Sequence, residues 1–314
     1  MNVDNGTRSL EAGSSIAILS PTGTIRRKGP LKVLSWNVQH GNDTTGDAKT
    51  DDESFSNMLR ECPIFCLQET KTKISLTDYH CFNQSRKDPG SGGLCVGIQK
   101  TLAESFTVLD TQCTDIQAVK VKFIDESDTL TIINAYDSPE HSSYKARRKA
   151  NHVGDDKTLE YLLDFIAGNI TGDIFLAGDF NARTKNLNYN QESDEEFDLS
   201  THNSGPSDSK RQSKDSVINK RGKLFLDFLA STNLSLLNGC TVGDIFGEYT
   251  SVNYNGKSVV DYIAVSKDLK SQIAWFKVGD LTAFSDHKPC YCALKINYDS
   301  TNSDALIRDR SHIT

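Results

Sequence analysis

The sequence lacks any apolar run that approaches the length needed to cross a membrane, which is about 20 residues. Its amino terminus also lacks the basic start and apolar core of a secretory signal peptide. No short internal repeat is present. These absences indicate neither secretion nor membrane insertion, and they exclude a repeat architecture.

The eight cysteines show neither the spacing of a zinc site nor the density of a small disulfide-stabilised domain. Most of them lie in apolar runs, where a thiol behaves as a small hydrophobic side chain. This usage favours a reducing compartment, so we expect a nuclear or cytoplasmic protein.

Positive charge is scarce, since 35 lysines and arginines face 42 acidic residues for a net charge of -7. A generally basic nucleic-acid coat protein is excluded, and any contact with DNA needs a local positive patch. The candidate patches are Arg86 with Lys87, and the run 145–149, which contains Arg147 and Arg148. Such charge runs are also typical of a solvated surface.

Polar segments frame one folded domain, which we expect over residues 30–298. Residues 1–29 predict a flexible leader, residues 186–216 a polar surface insertion, and residues 299–314 a polar tail. A hydrophobic fraction of 37% is adequate for a globular core.

Strand-like runs dominate this domain, and helical patterns are few. The helical patterns cover residues 53–60, 156–167 and 219–231, and in the last of them we expect Leu224 to be buried. Strand-like runs are expected at 31–37, 63–69, 93–99, 116–124, 130–136, 174–177, 249–251, 258–264, 273–278 and 290–296. The order predicts an α/β (α+β) fold with two packed sheets sheathed by helices.

The segment GDFNA closes one of these strands and places Asp179 and Asn181 at its end. This pair suits an in-line attack on phosphorus, because the carboxylate can orient or deprotonate a water while the amide stabilises the developing oxyanion. The same residues are also ordinary turn formers. The functional interpretation therefore depends on other residues at strand ends.

Asn37, Glu69 and Tyr136 end three other strands. A strand-end carboxylate such as Glu69, with an amide beside it, can hold Mg²⁺ that keeps several of its waters. Asn37 by itself is equally a turn residue. The Tyr136 phenol could donate to a phosphate oxygen or simply cap the core.

Asp261 interrupts an apolar run, and a buried carboxylate needs a partner. Asp286 and His287 lie just before the final strand and offer one. Asp261 would orient the His287 imidazole and favour its charged form, which could hold or protonate a phosphate oxygen. A purely structural Asp–His hydrogen bond is the alternative.

Six segments together resemble a known family. SWNV, LQETK, INAYDSP, GDFNA, VVDYI and SDHKP follow the order and rough spacing of the endonuclease/exonuclease/phosphatase superfamily across residues 31–297. The resemblance implies a four-layer sandwich of two mixed sheets like that of deoxyribonuclease I. It also implies a phosphodiesterase or phosphatase that depends on Mg²⁺, with Mn²⁺ as a substitute.

On the metal side, the resemblance makes Glu69 the principal ligand, with Asn37 and Asp286 beside it. The chain departs from the abasic-site enzymes at Gln39, where those enzymes usually carry an acid.

On the substrate side, the resemblance gives each residue a role in the reaction. Asp179 positions or activates the attacking water, and Asn181 stabilises the transition state. Asp261 is the partner of the phosphate-binding His287. Tyr136 is similar to the phosphate-side tyrosine of abasic-site and retrotransposon members.

A second set of segments, from RQSKD to VVDYI, resembles the endonuclease domains of non-LTR (LINE-type) retrotransposons, in which Thr250 is similar to a phosphate-contacting threonine. This resemblance implies nicking of duplex DNA with a 3′-hydroxyl product. It also implies a reverse transcriptase domain in a longer parent protein. The alternatives are an abasic-site repair endonuclease and a superfamily phosphatase that acts on a small phosphoester.

Overall fold

The computed structural model describes residues 16–19, 25–86, 92–123, 129–139, 158–187 and 211–300. The strands in chain order are β1 (Ile16–Leu19), β2 (Ile25–Asn37), β3 (Ile64–Gln68), β4 (Tyr79–Gln84), β5 (Leu94–Gln99), β6 (Ala103–Leu109), β7 (Ile116–Phe123), β8 (Thr129–Tyr136), β9 (Asp173–Asp179), β10 (Leu234–Leu236), β11 (Ser251–Asn253), β12 (Gly256–Ser258), β13 (Asp261–Ser266), β14 (Ile273–Val278) and β15 (Cys290–Ser300).

The helices are α1 (Glu53–Arg60), α2 (Thr158–Asn169), α3 (Lys220–Thr232) and the short α4 (Lys267–Lys270). Capping side chains set where α1 and α3 begin, because they satisfy backbone N–H groups of the first turn. Asp52 accepts from Ser54 and Phe55. Asn219 accepts from Gly222.

The strands form two mixed sheets, as the sequence predicts, and β11 and β12 pair separately as a hairpin. The first sheet has the order β14-β15-β2-β3-β5-β4, with β1 also paired to β2, and the second has the order β10-β13-β9-β8-β7-β6. The pairs β2–β3 and β8–β9 are parallel. Because parallel neighbours end at the same edge of a sheet, these two pairs carry their carboxyl-terminal residues to common edges.

The alternation of side chains along the strands explains the four layers. In β2, Leu31 and Val33 belong to the core between the two sheets, whereas Leu34 and Trp36 belong to the core between the first sheet and α1. Successive side chains of a strand point to opposite faces, so one strand serves both cores. A third core lies between the second sheet and helices α2 and α3.

The expectation that Leu224 is buried is wrong, since it is 52% exposed. The buried face of α3 is formed by Gly222, Phe225, Leu226 and Leu229, together with Phe228. These positions repeat at the spacing of one helix face, and Leu224 falls outside it.

The expected leader and the expected surface insertion both contain residues whose structure differs from the prediction. Residues 16–19 and 25–29 of the expected leader are strands, and β2 therefore begins before residue 30. In the expected insertion, Arg211 and Asp215 are 1% and 2% exposed because they bind partners inside the domain. Residues 188–210 and 301–314 lie outside the described part of the chain, and the division into segments remains a prediction.

All eight cysteines are free thiols. Among the described residues, no helix combines the length and the apolar character needed to traverse a lipid bilayer. The compartment in which the protein acts stays a prediction.

Candidate active site

The ends of β2 and β3 bring an amide and a carboxylate together. Asn37 lies opposite Gln68 in the parallel pair, and Glu69 follows directly, with a left-handed φ of 52°. The Asn37 Nδ2 donates to Glu69 Oε1 at 2.9 Å. Asn37 Oδ1 accepts from the backbone N–H of Gln39 at 2.9 Å, which fixes the orientation of the amide.

Three of the predicted site residues lie side by side in the second sheet. Tyr136 at the end of β8 is the register partner of Asp179 in β9. Asp179 is in turn the register partner of Asp261 at the start of β13. Strand pairing alone therefore places these three side chains, which the sequence separates by up to 125 residues, in one row.

Two sets of hydrogen bonds join the sheets at this row. Asn37 Nδ2 also donates to Asp179 Oδ2 at 2.9 Å. His287 Nδ1 lies 3.0 and 2.9 Å from the two carboxylate oxygens of Asp261. The structure thus gathers residues from four distant segments into one constellation.

The GDFNA segment has a local reason for its composition. A Cβ atom at Gly178 would lie 2.0 Å from the carbonyl oxygen of Ala135, so only glycine permits the close approach of β9 to β8. Asn181 adopts a left-handed φ of 48°, and its backbone N–H donates to Asp179 Oδ1 at 2.9 Å. Its side-chain Nδ2 donates to the carbonyl oxygen of Asp137 at 2.9 Å. The turn therefore fixes the positions of the Asp179 and Asn181 side chains.

The electrostatics of the row are set by burial and by close charges. Burial and then the charge of Asp261 raise the pKa of Asp179 to about 8, although His287 opposes this. Burial alone would lower the pKa of His287, but Asp261, followed by Asp179 and Asp286, outweighs it and raises the pKa to about 10. His287 is therefore an imidazolium at neutral pH.

Tyr136 is buried beside Glu69. It is 6% exposed, and its hydroxyl interacts with the Glu69 carboxylate. Burial, together with the charges of Glu69 and Asp179, raises its pKa well above the usual range. The phenol is therefore a neutral hydrogen-bond donor at any physiological pH.

The loop before β15 is tied to β2. Trp36 Nε1 donates to the carbonyl oxygen of His287 at 2.8 Å, and the Ser285 hydroxyl donates to the carbonyl oxygen of Asn37 at 2.7 Å. Asp286 Oδ1 accepts from Gln39 Nε2 at 2.5 Å. Gln39, which sequence analysis noted only as a departure, thus links the two metal-side candidates Asn37 and Asp286.

Glu69 fits a hydrated divalent cation better than any other carboxylate in the group. Its Oε1 accepts from Asn37, its Oε2 lies 3.5 Å from Lys71 Nζ, and its side chain is 20% exposed. A partly exposed carboxylate with free lone pairs is the kind of ligand that Mg²⁺ uses while it keeps waters.

A second set of potential ligands lies deeper. Ligand atoms of Asp179, Asp261 and His287 lie within 4.8 Å of one another. However, Asp261 and His287 Nδ1 already bind each other, and the imidazole is charged. Since a metal ligand must be a neutral imidazole, this set suits proton and phosphate chemistry better than metal binding.

Three expected substrate contacts are placed differently or lie outside the described residues. Thr250 is fully buried, and its hydroxyl accepts from the backbone N–H groups of Val260 and Asp261 at 3.0 and 3.1 Å. That geometry assigns Thr250 to the positioning of Asp261, and its contact with phosphate stays a prediction without geometric support. Arg147 and Arg148 lie outside the described part of the chain.

Sequence reasoning missed an exposed aromatic residue beside the site. Tyr254, at the turn between β11 and β12, is 97% exposed. The same hairpin pairs with the loop before β15, because Ser251 forms a bridge with His287 and Val252 donates to the carbonyl oxygen of Asp286. The sequence around Tyr254 is a short polar run, and nothing in it indicates that the tyrosine side chain would be exposed beside the site.

Comparison with protein families gives this constellation its context. The family model described as "Endonuclease/Exonuclease/phosphatase family" matches residues 34–287, which span every residue of the constellation. The chain belongs to the endonuclease/exonuclease/phosphatase family. It is therefore a phosphodiesterase or nuclease by class, in a family whose members typically depend on a divalent metal ion.

Solved structures show that the fold is that of this family. The endonuclease domain of TRAS1, a telomere-specific non-LTR retrotransposon, superposes with a TM-score of 0.55 at 16% identity, covering 85% of this chain and 99% of that one. The AP endonuclease LMAP from Leishmania major gives 0.56 at 16% identity, covering 84% and 87%. The catalytic domain of Xenopus laevis APE2 gives 0.56 at 16%, covering 87% and 94%. No curated protein sequence matches the chain.

Proposed function

We propose that the chain is a magnesium-dependent endonuclease that hydrolyses one phosphodiester bond of duplex DNA and leaves a nick with a 3′-hydroxyl end. The observation that carries the proposal is the pair of hydrogen-bonded links across the sheets, Asn37 to Asp179 and Asp261 to His287. These bonds, with the one from Asn37 to Glu69, bring the carboxyl groups of Glu69 and Asp179 close to the His287 imidazolium, which supports the proposal. Such a set meets the needs of in-line attack on a phosphodiester.

The proton chemistry falls to Asp179. Its carboxylate oxygens are fixed by Asn37 and by the backbone of Asn181. A carboxyl whose pKa has been raised to about 8 is a stronger base than an ordinary carboxylate, and its ionised form can accept a proton from water, as a general base requires. Asp179 would therefore orient the attacking water and take its proton.

The phosphate oxygens would be held by donors whose positions are fixed in advance. His287 keeps Nε2–H free of Asp261, which uses only Nδ1. The Tyr136 hydroxyl and the Asn181 amide supply further neutral donors close by. Fixed donors of this kind stabilise charge that develops in the transition state without any cost of reorganisation.

Glu69, with Asn37 beside it and Asp286 across the Gln39 link, would hold the Mg²⁺ ion. When bound, the ion neutralises charge on the scissile phosphate and stabilises the leaving oxygen. Mn²⁺ shares the preference for oxygen ligands and is expected to substitute.

Contact with duplex DNA would be made beside this point by the β11–β12 hairpin. Tyr254 offers an exposed aromatic ring, and the neighbouring Lys257 is also exposed. Because the net charge is -7, attraction to DNA must be local, and the hairpin provides such a place. Arg147 and Arg148 are proposed as further backbone contacts.

The test is nicking of supercoiled plasmid with Mg²⁺ and with excess chelator. We expect open-circular product only with metal, and DNA ligase should reseal it if the ends are a 3′-hydroxyl and a 5′-phosphate. Asp179→Asn and His287→Gln should each lower kcat by at least about 100-fold. Asp164→Asn, at an exposed site on α2, serves as the matched control. Full activity in chelator, or in both site variants, would exclude the proposal.

The same preparations separate the alternative activities. Faster cleavage of a duplex that contains one abasic site than of the intact duplex would indicate a repair endonuclease. Phosphate release from small phosphoesters without plasmid nicking would indicate a phosphatase. No geometric feature of the described residues favours either over the nicking activity.

A further inference from the structure

Arg86 is a buried cation that lies against the ring of Tyr136. Its side chain is 2% exposed, and its Cζ lies 4.9 Å from the centroid of the Tyr136 ring. The prediction that Arg86 is a surface cation and a candidate contact for DNA is wrong. Because a buried charge is costly unless it is paired, its partners indicate what the residue does.

Two partners of Arg86 belong to the surroundings of Tyr136. Arg86 Nε donates to Asp115 Oδ1 at 2.5 Å, and its Nη2 donates to the Ser138 hydroxyl at 2.7 Å. The backbone carbonyl of Asp115 accepts from the Tyr136 N–H at 2.9 Å, and Ser138 follows Tyr136 by two residues. The guanidinium is therefore anchored to the same strand end that carries the tyrosine.

Gly92, which supports the loop that holds Glu69, packs against the guanidinium. Gly92 has a φ of 62°, and a Cβ atom there would lie 2.4 Å from Arg86 Nε. The carbonyl oxygen of Gly92 accepts from the backbone N–H of Lys71 at 2.9 Å, two residues after Glu69. Arg86 thus contacts both the support of Glu69 and the face of Tyr136, whose hydroxyl interacts with the Glu69 carboxylate.

We propose that Arg86 is a positioning residue that fixes the plane of the Tyr136 ring and hence the place of its hydroxyl beside Glu69. The planar guanidinium can stack on a ring while it donates in two directions, and a lysine ammonium cannot do both. The effect of Arg86 on reaction rate rests on the proposed nuclease function, whereas its effect on the Tyr136 ring does not.

The first experiment measures the NMR signal of the Tyr136 ring and needs no enzymatic activity. In protein carrying ¹³C-labelled tyrosine, the Tyr136 signal is assigned by its loss in Tyr136→Phe. Arg86→Lys should shift and broaden that signal. The matched control is Arg211→Lys, since Arg211 is another buried guanidinium, 5.9 Å from the Tyr262 ring. The control should affect Tyr262 and leave Tyr136 unchanged. An unchanged Tyr136 signal in Arg86→Lys overturns the proposal.

The second experiment is a double-mutant cycle on plasmid nicking. Arg86→Lys should lower kcat by about tenfold or more and change KM by less than about threefold, because a misplaced group costs transition-state stabilisation. In a Tyr136→Phe background, the same change should alter kcat by less than about threefold. Equal losses in both backgrounds would show that Arg86 supports the fold in general and would overturn the proposal.

Ser138→Ala provides a milder variant in case Arg86→Lys does not fold. It removes one hydrogen bond of the guanidinium and leaves the ion pair with Asp115 in place. The same ring signal should move in the same direction, by less. If the unmodified protein shows no nicking at all, the proposed function fails, while the tyrosine signal still decides the role of Arg86.

Discussion

Asp261→Asn should destabilise the protein strongly near pH 6 and progressively less as the pH rises toward 10. In the folded chain the imidazole of His287 is bonded to Asp261, and its pKa is about 10 instead of 6.5. A raised pKa contributes stability that is fully present below the unfolded value and is lost as the pH passes through the folded value. The relevant window therefore lies between pH 6.5 and 10.

The size of the expected stability loss follows from the difference between the two pKa values of His287. A rise in pKa from 6.5 to about 10 corresponds to on the order of 5 kcal/mol of preference for the charged ring. Asp179 and Asp286 contribute part of this preference and remain in the variant. The asparagine oxygen can still accept from Nδ1, so the variant loses mainly charge. We therefore expect a loss of about 3 kcal/mol at pH 6, in the range for a broken buried ion pair.

The assay is urea unfolding at pH 6, 8 and 10, followed by the fluorescence of the two tryptophans, one of which, Trp36, donates to the carbonyl oxygen of His287. The matched control is Asp215→Asn. Although burial opposes it, the bidentate bond with Arg183 holds the pKa of Asp215 below its usual range. The stability from that pair is lost only in acid, so its penalty should be constant across this window. A penalty for Asp261→Asn that is equally constant from pH 6 to 10 would refute the reasoning.

Three further perturbations test other parts of the site. Glu69→Gln should weaken Mn²⁺ binding, measured by electron paramagnetic resonance, by more than about 100-fold, whereas Glu160→Gln on the surface of α2 should leave it unchanged. Tyr254→Ala should weaken DNA binding about tenfold in a filter-binding assay and leave the melting temperature unaltered, since the side chain is 97% exposed. Gly178→Ala should cost about 2 kcal/mol or more in urea unfolding, because its Cβ would meet the Ala135 carbonyl oxygen at 2.0 Å; no loss would mean that the strands can separate freely.

Local patterns were sufficient for the residues at strand ends. Asn37 and Tyr136 are the last residues of β2 and β8, as predicted, and β9 runs to Asp179, two residues beyond the predicted end of that strand. Apolar runs that stop at a polar residue give a clear signal because burial ends there. The same logic paired Asp261 with His287, since a carboxylate inside an apolar run requires a partner.

The edges of the sheets were much harder to predict. Strands β4 and β6 were missed, and each lies at the end of its sheet. β4 is largely half-buried, and Val108 in β6 is 51% exposed. An edge strand pairs on one side only and needs less apolar sequence, so its pattern is weak.

Polar residues with distant partners were also misjudged. Arg86 and Arg211 lie in polar sequence and were assigned to the surface, yet both are buried. Arg86 binds Asp115, and Arg211 donates to the carbonyl oxygens of Lys185, Leu187 and Asn238. Contacts between segments tens of residues apart depend on the fold, which a local pattern does not contain.

Because hydrogen bonds join the two sheets at the site, the geometry of the site depends on the distance between the sheets. Glu69 and His287 are carried by the first sheet, and Asp179 and Asp261 by the second, so neither sheet alone holds a complete set. A shift of less than an ångström between the layers would stretch every one of these hydrogen bonds while leaving each strand intact. Phe175 and Val119 lie in the core between the sheets. Substitutions there can thus abolish activity while the chain remains folded, because they change the distance between the sheets.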